Sequence, residues 1–524
     1  MDMFRRELFR PRLDYPRVPY HALLRRSVER TPDKWATVFY DQKLTFREIE
    51  GVSNALAHGL RDFHVAKGDR VALFMSNRPE YLISFEAVSK VGATVTPINP
   101  SYREQEAEYQ LNNSEACVVI VHEDQYPVIA AIRDRVPALR QILVIGSECP
   151  PGTQSWYQIV VAFPADRPPE VDIDVDEDLI ALPYSSGTTG LPKGVMLTHR
   201  NLISNDVQCT SAGRIGERDV LLIFLPFYHI YGTMLMGAGV ASGATQVIME
   251  KFDMVPALSL MQRYGVTLFY AVPPVLLAMT HFPDLKKYSF GSVRYIMSGA
   301  APLPPEVGRR VQELTGVLVL QGYGLTEASP LTHLNPVDDP EMIRLGSVGL
   351  PVSDQEEKIV SLDDDTTELG PDAIGELVIR GPHVMKGYWK APEETARALR
   401  NGWLHTGDIA RRDAQGYVYI VDRKKEMIKY KGFGVAPAEL EALLHEHPAV
   451  ADCAVVSKPD PEAGEIPRAF VVVRPRMQVT AAELMRFVEE RVAGYKKIRA
   501  VEFVDAIPKN PSGKILRRLL KERP

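Results

Sequence analysis

The sequence predicts an α/β protein with a large N-terminal domain and a small C-terminal one. From about residue 45, segments with helical spacing of apolar residues alternate with short apolar runs. This alternation is typical of parallel or mixed sheets covered by helices. The chain has 524 residues, which is longer than one hydrophobic core accommodates, so more than one domain is expected.

The first cycle of the alternation begins at residue 45. The segment TFREIEGVSNALAHGLRDF has helical spacing, and Thr45 with Glu48 three residues later predicts a capping box at its start. DRVALFMS and ACVVIVHE are predicted buried strands, with the helix PEYLISFEAVSKVG between them. The runs VLLIFLP, TQVIME, TLFYAVP and VRYIMSG predict a second set of strands.

The last third of the chain has a different pattern. Residues 346–421 are rich in turn residues between strand-like runs such as IGELVIRG and GYVYIVD, which predicts a small antiparallel, barrel-like subdomain. Strands and helices after Asp422 predict a compact α+β unit. The predicted division is a large domain over residues 1–421, a hinge at residues 422–425 and a small mobile domain over residues 426–524.

Composition and charge exclude some classes of function. The formal net charge is −6, so no global basic field attracts nucleic acid. The charge is uneven, because residues 422–524 hold 20 Lys and Arg against 15 Asp and Glu. A basic C-terminal portion suits a polyanionic ligand, although an ordinary solvated surface is the alternative.

The sequence is not expected to carry a signal peptide or a membrane-spanning segment. The N-terminal residues lack an apolar core of the signal-peptide kind, and the four cysteines have no metal-ligand spacing. The uncharged stretches 230–249 and 265–282 contain glycines or a Pro-Pro pair and are predicted as buried core. We expect a cytoplasmic monomer or homodimer with no transmembrane segment, for which transient contact with a membrane surface stays open.

The segment YSSGTTGLPKGVMLTH, residues 184–199, is the strongest candidate for phosphate binding. Backbone N–H groups of a glycine-rich turn, Ser and Thr hydroxyls and the Lys193 ammonium are all donors to an anion. The common nucleotide loop has four residues between its glycines and continues into a helix, whereas VMLTH here predicts a strand. A flexible loop without a ligand is the alternative.

Four further motifs are weaker when each is taken alone. They are QGYGLTEASP (321–330), WLHTGDIA (403–410), DRKKEMIKYKGFGVAPAELE (422–441) and PKNPSGKILRR (508–518). Thr326 and Glu327 combine a phosphate donor with a candidate Mg²⁺ ligand. Asp408 after a turn could accept hydrogen bonds from ribose hydroxyls, and Lys514 is expected to open a helix. Capped turns and solvated lysines are the alternatives.

The order of these motifs is more specific than any one of them. YSSGTTGLPKGV, LPFYHIYG, SGAAPL, QGYGLTE, TGD, DRKKEMIKYKGF and PSGK together resemble the core motifs of the adenylate-forming superfamily. This superfamily includes acyl-CoA synthetases, coumarate–CoA ligases, firefly luciferase and peptide-synthetase adenylation domains. The resemblance spans about residues 20–518. It implies that a carboxylic acid reacts with ATP to give an acyl-adenylate and pyrophosphate, and that CoA then displaces AMP.

The resemblance implies roles for individual residues. The expected ligands of the β- and γ-phosphates are Ser185, Ser186, Gly187, Thr188, Thr189 and Lys193. The expected adenine site consists of Gly299, Ala300, Ala301, Gln321, Gly322 and Tyr323. Asp408 and Arg423 would bind the ribose, and Thr326 the α-phosphate. Glu327 would bind Mg²⁺, and Lys514 would neutralise charge on the reacting carboxylate.

The second half-reaction is expected to need a rotation of the small domain. The resemblance implies that Lys425 is the hinge and that Lys429, Lys431 and Gly432 then line the entrance for the pantetheine arm. Lys251 is expected to contact a CoA phosphate. His229 would rotate between the acyl and pantetheine channels, with a simply packed histidine as the alternative.

The identity of the acid is left partly open. The resemblance places Tyr231, Leu235, Gly324 and Leu331 in the acid pocket. These are apolar or small, and FYHIYG holds no Asp to pair an amine, so an amino acid is not expected. A medium- or long-chain fatty acid is favoured, as in fatty acyl-CoA synthetases, and an aryl-propenoate is the alternative.

Three rival functions also stay open. The thiol could belong to a carrier protein in place of CoA, or the adenylate could be oxidised as in luciferase. A nucleotide-binding regulator without turnover is the third. The presence of Lys193, Glu327, Asp408, Arg423 and Lys514 argues against that third reading.

Overall fold

The computed structural model describes residues 12–185, 191–424, 426–431, 433–510 and 513–523. Some of the predicted site residues lie outside these ranges. They are Ser186, Gly187, Thr188, Thr189, Lys425 and Gly432.

Two large mixed sheets dominate the described part of the N-terminal region. The strands of the first, in spatial order, are Leu350–Pro351, Leu331–Leu334, Val319–Gly324, Tyr295–Ser298, Leu268–Ala271, Val220–Ile223, Thr245–Ile248, Trp35–Phe39 and Gln42–Thr45. The neighbours from Val319–Gly324 to Trp35–Phe39 run parallel, and antiparallel strands close both edges.

The second sheet combines a parallel half with an antiparallel one. Its strands, in spatial order, are Gly387–Tyr388, Lys193–Thr198, Leu179–Ala181, Thr94–Pro97, Arg70–Phe74, Ala116–His122, Gln141–Ile145 and Gln154–Ser155. The short strand Tyr184–Ser185 also pairs with Lys193–Thr198. The strand predicted for VMLTH is confirmed up to Thr198, and His199 begins a helix.

Helices cover the sheets and fill the space between them. The helices of the N-terminal region are Ala22–Arg30, Phe46–Asp62, Pro79–Lys90, Glu104–Ser114, Tyr126–Ile132, Trp156–Ala162, His199–Ala212, Ile230–Ser242, Met254–Tyr264, Pro273–His281, Pro305–Thr315 and Pro392–Ala398. One continuous apolar core joins Leu73 of the second sheet to Phe269 of the first. The predicted capping box is present, since Thr45 accepts from the Glu48 N–H and the Glu48 carboxylate accepts from the Thr45 N–H.

Two smaller sheets complete the fold. The strands Glu356–Val360, Gly375–Arg380, Trp403–Arg412, Leu399–Arg400 and Val418–Arg423 form an antiparallel sheet. The C-terminal unit has the strands Ile428–Tyr430, Phe433–Val435, Val450–Asp460, Gly464–Val473 and Ala500–Phe503 and the helices Pro437–Glu446, Ala481–Glu489 and Arg517–Lys521. The predicted fold class is confirmed.

The two uncharged stretches belong to the core. The first forms the helix Ile230–Ser242 and the strand Thr245–Ile248, and the second includes the strand Leu268–Ala271 and the helix Pro273–His281. In the part of the chain that the structure describes, no helix has the length and apolar character needed to cross a membrane.

The helix Pro79–Lys90 buries charged side chains in this core. The Lys90 ammonium lies 2.8 Å from a Glu50 carboxylate oxygen and also donates to Ser53 and Asn54. Glu86 is fully buried, and neither of its carboxylate oxygens has a hydrogen-bond partner among the described residues. Burial raises the pKa of Glu86 to about 8, and Glu50 adds to this while Lys90 opposes it.

Because the pKa of Glu86 is higher in the folded protein than in the unfolded chain, its protonated form favours folding. Stability is therefore lost as the pH rises from about 4.5 to about 8. We expect Glu86→Gln to remove this loss, so the variant should gain thermal stability over the wild type progressively between pH 5 and pH 8. Thermal unfolding midpoints at each pH measure the difference. Glu29→Gln, on the exposed side of the helix Ala22–Arg30, is the control, and an equal pH trend in both variants would contradict the role of Glu86.

Candidate active site

The predicted adenine residues lie where two neighbouring parallel strands end. Gly299, Ala300 and Ala301 follow the strand Tyr295–Ser298, and Gln321, Gly322 and Tyr323 belong to its neighbour Val319–Gly324. Carboxyl ends of parallel strands are the usual position of nucleotide sites in α/β sheets. The buried Gln321 amide oxygen accepts from the Leu303 N–H at 2.9 Å, which ties the loop after the first strand to the second strand.

Asp408 joins this edge to the antiparallel sheet. It is 2% exposed and accepts a hydrogen bond from the Tyr323 hydroxyl. The Arg423 Nε lies 3.1 Å from its other oxygen, since Asp408 and Arg423 are paired across neighbouring strands. The expectation that Asp408 follows a turn is corrected, because it lies inside the strand Trp403–Arg412, directly after Gly407 with a φ of +70°.

Glu327 has hydroxyl donors from two other elements. It lies with Thr326 in a 3₁₀ turn, Thr326–Ala328, directly after the strand of Tyr323. Its Oε1 accepts from the Ser185 hydroxyl at 3.3 Å and from the Tyr388 hydroxyl at 2.9 Å. A half-buried carboxylate near a candidate phosphate site suits Mg²⁺, which takes one or two carboxylates together with substrate phosphates. Within the described residues, no group of three or more His, Cys, Asp and Glu side chains forms a metal cage of the protein's own.

Lys193 is held by a residue that the sequence did not indicate. Its ammonium lies 2.6 Å from the Glu394 carboxylate and 5.7 Å from the centre of the Tyr388 ring. Tyr388 and Glu394 both belong to the segment GYWKAPEET, which follows no phosphate-binding pattern. Their contacts depend on the pairing of the strand Gly387–Tyr388 with Lys193–Thr198, which no local periodicity reveals.

Lys514 of the C-terminal unit points to the same region. Burial and the nearby Arg423 lower the pKa of Lys514 to about 8, while Asp408, Glu426 and Glu327 oppose the shift. Gly513 before it has a φ of +81°, and a Cβ there would lie 3.0 Å from Pro274 of the large domain. The prediction that Lys514 opens a helix is wrong, because the helix begins at Arg517.

A second contact joins the two parts of the chain. The Arg474 guanidinium donates to the His281 Nε2 at 2.6 Å. Arg474 follows the strand Gly464–Val473, and His281 ends the helix Pro273–His281. The C-terminal unit thus covers the edge of the first sheet with Lys514 among the predicted ATP residues.

The residues predicted for the acid lie behind this edge. His229 precedes the helix Ile230–Ser242, and its Nδ1 accepts from the Tyr231 N–H at 3.2 Å. Burial, followed by the charge of Lys514, lowers the pKa of His229 to about 4. A Cβ on Gly299 would lie 3.0 Å from the Tyr231 ring. Leu235 and Leu331 are buried, and Gly324 pairs with Leu331 across two strands.

The lysines expected to bind CoA lie apart from this group. Lys251, Lys429 and Lys431 are exposed, and in the described ranges none of them forms an ion pair with the residues near Lys514. Their predicted roles stay predictions.

Comparison with known proteins identifies the family. The model of the family described as AMP-binding enzyme matches residues 24–389, and that of the AMP-binding enzyme C-terminal domain matches residues 439–514. The chain belongs to the AMP-binding enzyme family. The resemblance of the motifs to the adenylate-forming superfamily is therefore confirmed.

Curated relatives of this AMP-binding enzyme include two kinds of ligase. It is 40% identical to 4-coumarate–CoA ligase 1 of Petroselinum crispum over 517 residues, covering 97% of this chain and 94% of that one. It is 36% identical to the long-chain-fatty-acid–CoA ligase of Bacillus subtilis (strain 168), covering 97% and 95%. These relatives support an acid–thiol (CoA) ligase and leave the class of acid unresolved.

A solved structure bears on the arrangement of the two parts. The ATP-bound form of MatB from Rhodopseudomonas palustris superposes with a TM-score of 0.88 at 30% identity, covering 96% of this chain and 98% of that one. The apo form of the same protein gives a TM-score of 0.79. The AMP-binding enzyme described here is therefore more similar to the ATP-bound form than to the apo form.

Proposed function

We propose that this enzyme joins an apolar carboxylic acid to CoA in two steps, through an acyl-adenylate. The observation that carries the proposal is the convergence of Glu327, Asp408, Arg423 and Lys514 at one edge of the first sheet. These residues come from three separate parts of the fold. Two carboxylates and two cations so arranged suit a nucleotide whose ribose and phosphates lie between them.

The first step needs positioning and charge stabilisation, with no covalent bond to the enzyme. The buried Asp408 carboxylate would accept from the ribose hydroxyls, with Arg423 holding it in place. Thr326 would donate to the α-phosphate, and Lys193 with Ser185 would bind the departing phosphates. Mg²⁺ on Glu327 would neutralise polyphosphate charge. Lys514 would place its ammonium beside the attacking carboxylate and the oxygens of the α-phosphate.

The second step needs room for the thiol of CoA. Lys514 would leave the site, so the close approach of Gly513 to Pro274 and the hydrogen bond of Arg474 with His281 would be lost. Lys429, Lys431 and Gly432 would then meet the pantetheine arm, and Lys251 a CoA phosphate. The proposed hinge, Lys425, lies next to Lys424, which ion-pairs with Asp365 at 2.6 Å and Glu376 at 2.9 Å and so anchors the chain before the hinge.

For the acid, the packing behind Tyr231 favours a compact molecule. The Tyr231 ring packs edge-on against Tyr270, whose hydroxyl lies 2.8 Å from that of Tyr295. The Tyr295 hydroxyl donates to the Gly213 carbonyl oxygen at 2.8 Å. All three rings are buried, so in the proposed pocket they would block the space beyond Tyr231. An aryl-propenoate or a medium-chain fatty acid fits such a pocket better than a long-chain acid.

The proposed role of Lys514 predicts a particular pH dependence. The lysine acts as a cation, so kcat/KM for pyrophosphate release should fall as the pH rises through about 8. Lys514→Arg keeps the charge, since the guanidinium does not titrate in this range, and should lose this alkaline fall even if its overall rate is lower. Thioester formation from supplied acyl-adenylate is the control step and should not share the fall. An identical alkaline limb in the variant would contradict the assignment.

The proposed pocket predicts the order of acids. Pyrophosphate release, measured with CoA omitted and then added, should give higher kcat/KM for cinnamate-type and medium-chain acids than for a sixteen-carbon acid. Tyr231→Ala should shift the preference towards longer acids, because it removes the ring that ends the pocket. Tyr270→Phe keeps the ring and loses only a hydroxyl, so its preference should match the wild type. If none of the acids supports release of pyrophosphate, the proposed function is contradicted. A wild-type preference for the sixteen-carbon acid would contradict the compact pocket.

A further inference from the structure

Lys193, the expected phosphate ligand, already has an anionic partner within the chain. Its ammonium lies 2.6 Å from Oε2 of Glu394, and the side chains are 23% and 33% exposed. The pair links residues 201 positions apart in the sequence. A carboxylate and a phosphate carry the same sign of charge and compete for the same donor.

Glu394 has a second cation within reach. Its other oxygen, Oε1, lies 3.2 Å from the Arg397 guanidinium, one turn further along the helix Pro392–Ala398. Arg397 is 69% exposed. The Glu394 carboxylate thus bridges Lys193, near the candidate site, and Arg397, at the solvent-exposed surface. It can therefore separate from Lys193 and keep its ion pair with Arg397.

The position of Glu394 is fixed by the fold. The Thr395 hydroxyl accepts from the Tyr388 N–H at 2.9 Å, which ties the start of the helix to the strand Gly387–Tyr388. That strand pairs with Lys193–Thr198, and the Tyr388 hydroxyl donates to Glu327. One short segment therefore contacts both Lys193 and Glu327, on two sides of the proposed polyphosphate site.

We propose that Glu394 is a positioning residue that acts as an internal counter-ion for Lys193 and is displaced by polyphosphate. When the site is empty, Glu394 holds the ammonium. When ATP arrives, the phosphate oxygens take Lys193, and the carboxylate turns to Arg397. The same competition helps pyrophosphate to leave after adenylation. This inference rests on the proposed function only for the identity of the anion that Lys193 binds.

The exchange predicts that Glu394 weakens the binding of every polyphosphate. Glu394→Gln should lower the dissociation constants of ATP and of inorganic pyrophosphate by about two- to fivefold, the range expected for a partly exposed ion pair. Turnover at saturating ATP should not rise in parallel, and product inhibition by pyrophosphate should become stronger. Calorimetric titration of the whole protein with each anion, without any acid, measures the binding.

Matched variants separate this role from simple stabilisation of the helix. Glu393→Gln changes the neighbouring carboxylate, which is 84% exposed and pairs with Arg397 at 3.4 Å, and it should leave both dissociation constants unchanged. Arg397→Gln removes the alternative partner and should weaken the binding of both anions. Glu394→Asp keeps the charge and should bring the constants back towards the wild type.

Two results would overturn the inference. Unchanged or weaker binding of both anions by Glu394→Gln would mean that the carboxylate does not compete with phosphate. Equal effects of Glu393→Gln and Glu394→Gln would assign the change to the helix as a whole. A wild-type protein that binds pyrophosphate but forms no adenylate with any acid would instead contradict the proposed function and leave the competition standing.

Discussion

The buried carboxylate of Asp408 is the group on which the assembly of the site depends. A carboxylate removed from water is costly unless charged or hydrogen-bonding partners surround it. Its partners come from different parts of the fold, since Tyr323 belongs to the first large sheet and Arg423 to the antiparallel sheet. Lys514 of the C-terminal unit also interacts electrostatically with Asp408. The carboxylate therefore couples the packing of these parts to the formation of one candidate nucleotide site.

The same principle applies on the polyphosphate side. Lys193 faces Glu394, and Glu327 accepts hydrogen bonds from Tyr388 and Ser185. A polar group with a partner is less costly to keep half-buried than one without. In the proposed function, binding of ATP would exchange these internal partners for substrate oxygens. The net gain in binding free energy is smaller than it would be for side chains without internal partners. This suits an enzyme that has to release pyrophosphate and AMP in every cycle.

Local patterns were enough to predict the fold class, and the order of the motifs suggested the candidate site residues through a family resemblance. The capping box at Thr45 and the alternating segments depend on neighbours in sequence, and the site motifs carry glycines, hydroxyls and charges at fixed spacing. Tyr388 and Glu394 were missed because their contacts join residues 61 and 201 positions apart through strand pairing. Asp408 was misplaced because Thr406 and Gly407 are typical of a turn, whereas the left-handed Gly407 lies within a strand.

Among the described residues, one contact that holds the C-terminal unit over the candidate site is weak in kind. The contact of Arg474 with His281 is exposed to solvent, and exposed polar pairs contribute little to stability. Burial beside Arg423 lowers the pKa of Lys514, so without a bound anion its charged form is less stable here than in water. The polyphosphate of ATP would reverse that balance, because it supplies the negative charge that the ammonium lacks. We infer that the bound nucleotide favours the arrangement in which the C-terminal unit places Lys514 in the site. Loss of pyrophosphate would remove much of the negative charge that stabilises this arrangement. In the proposed two-step reaction, reopening for CoA would then need no separate trigger.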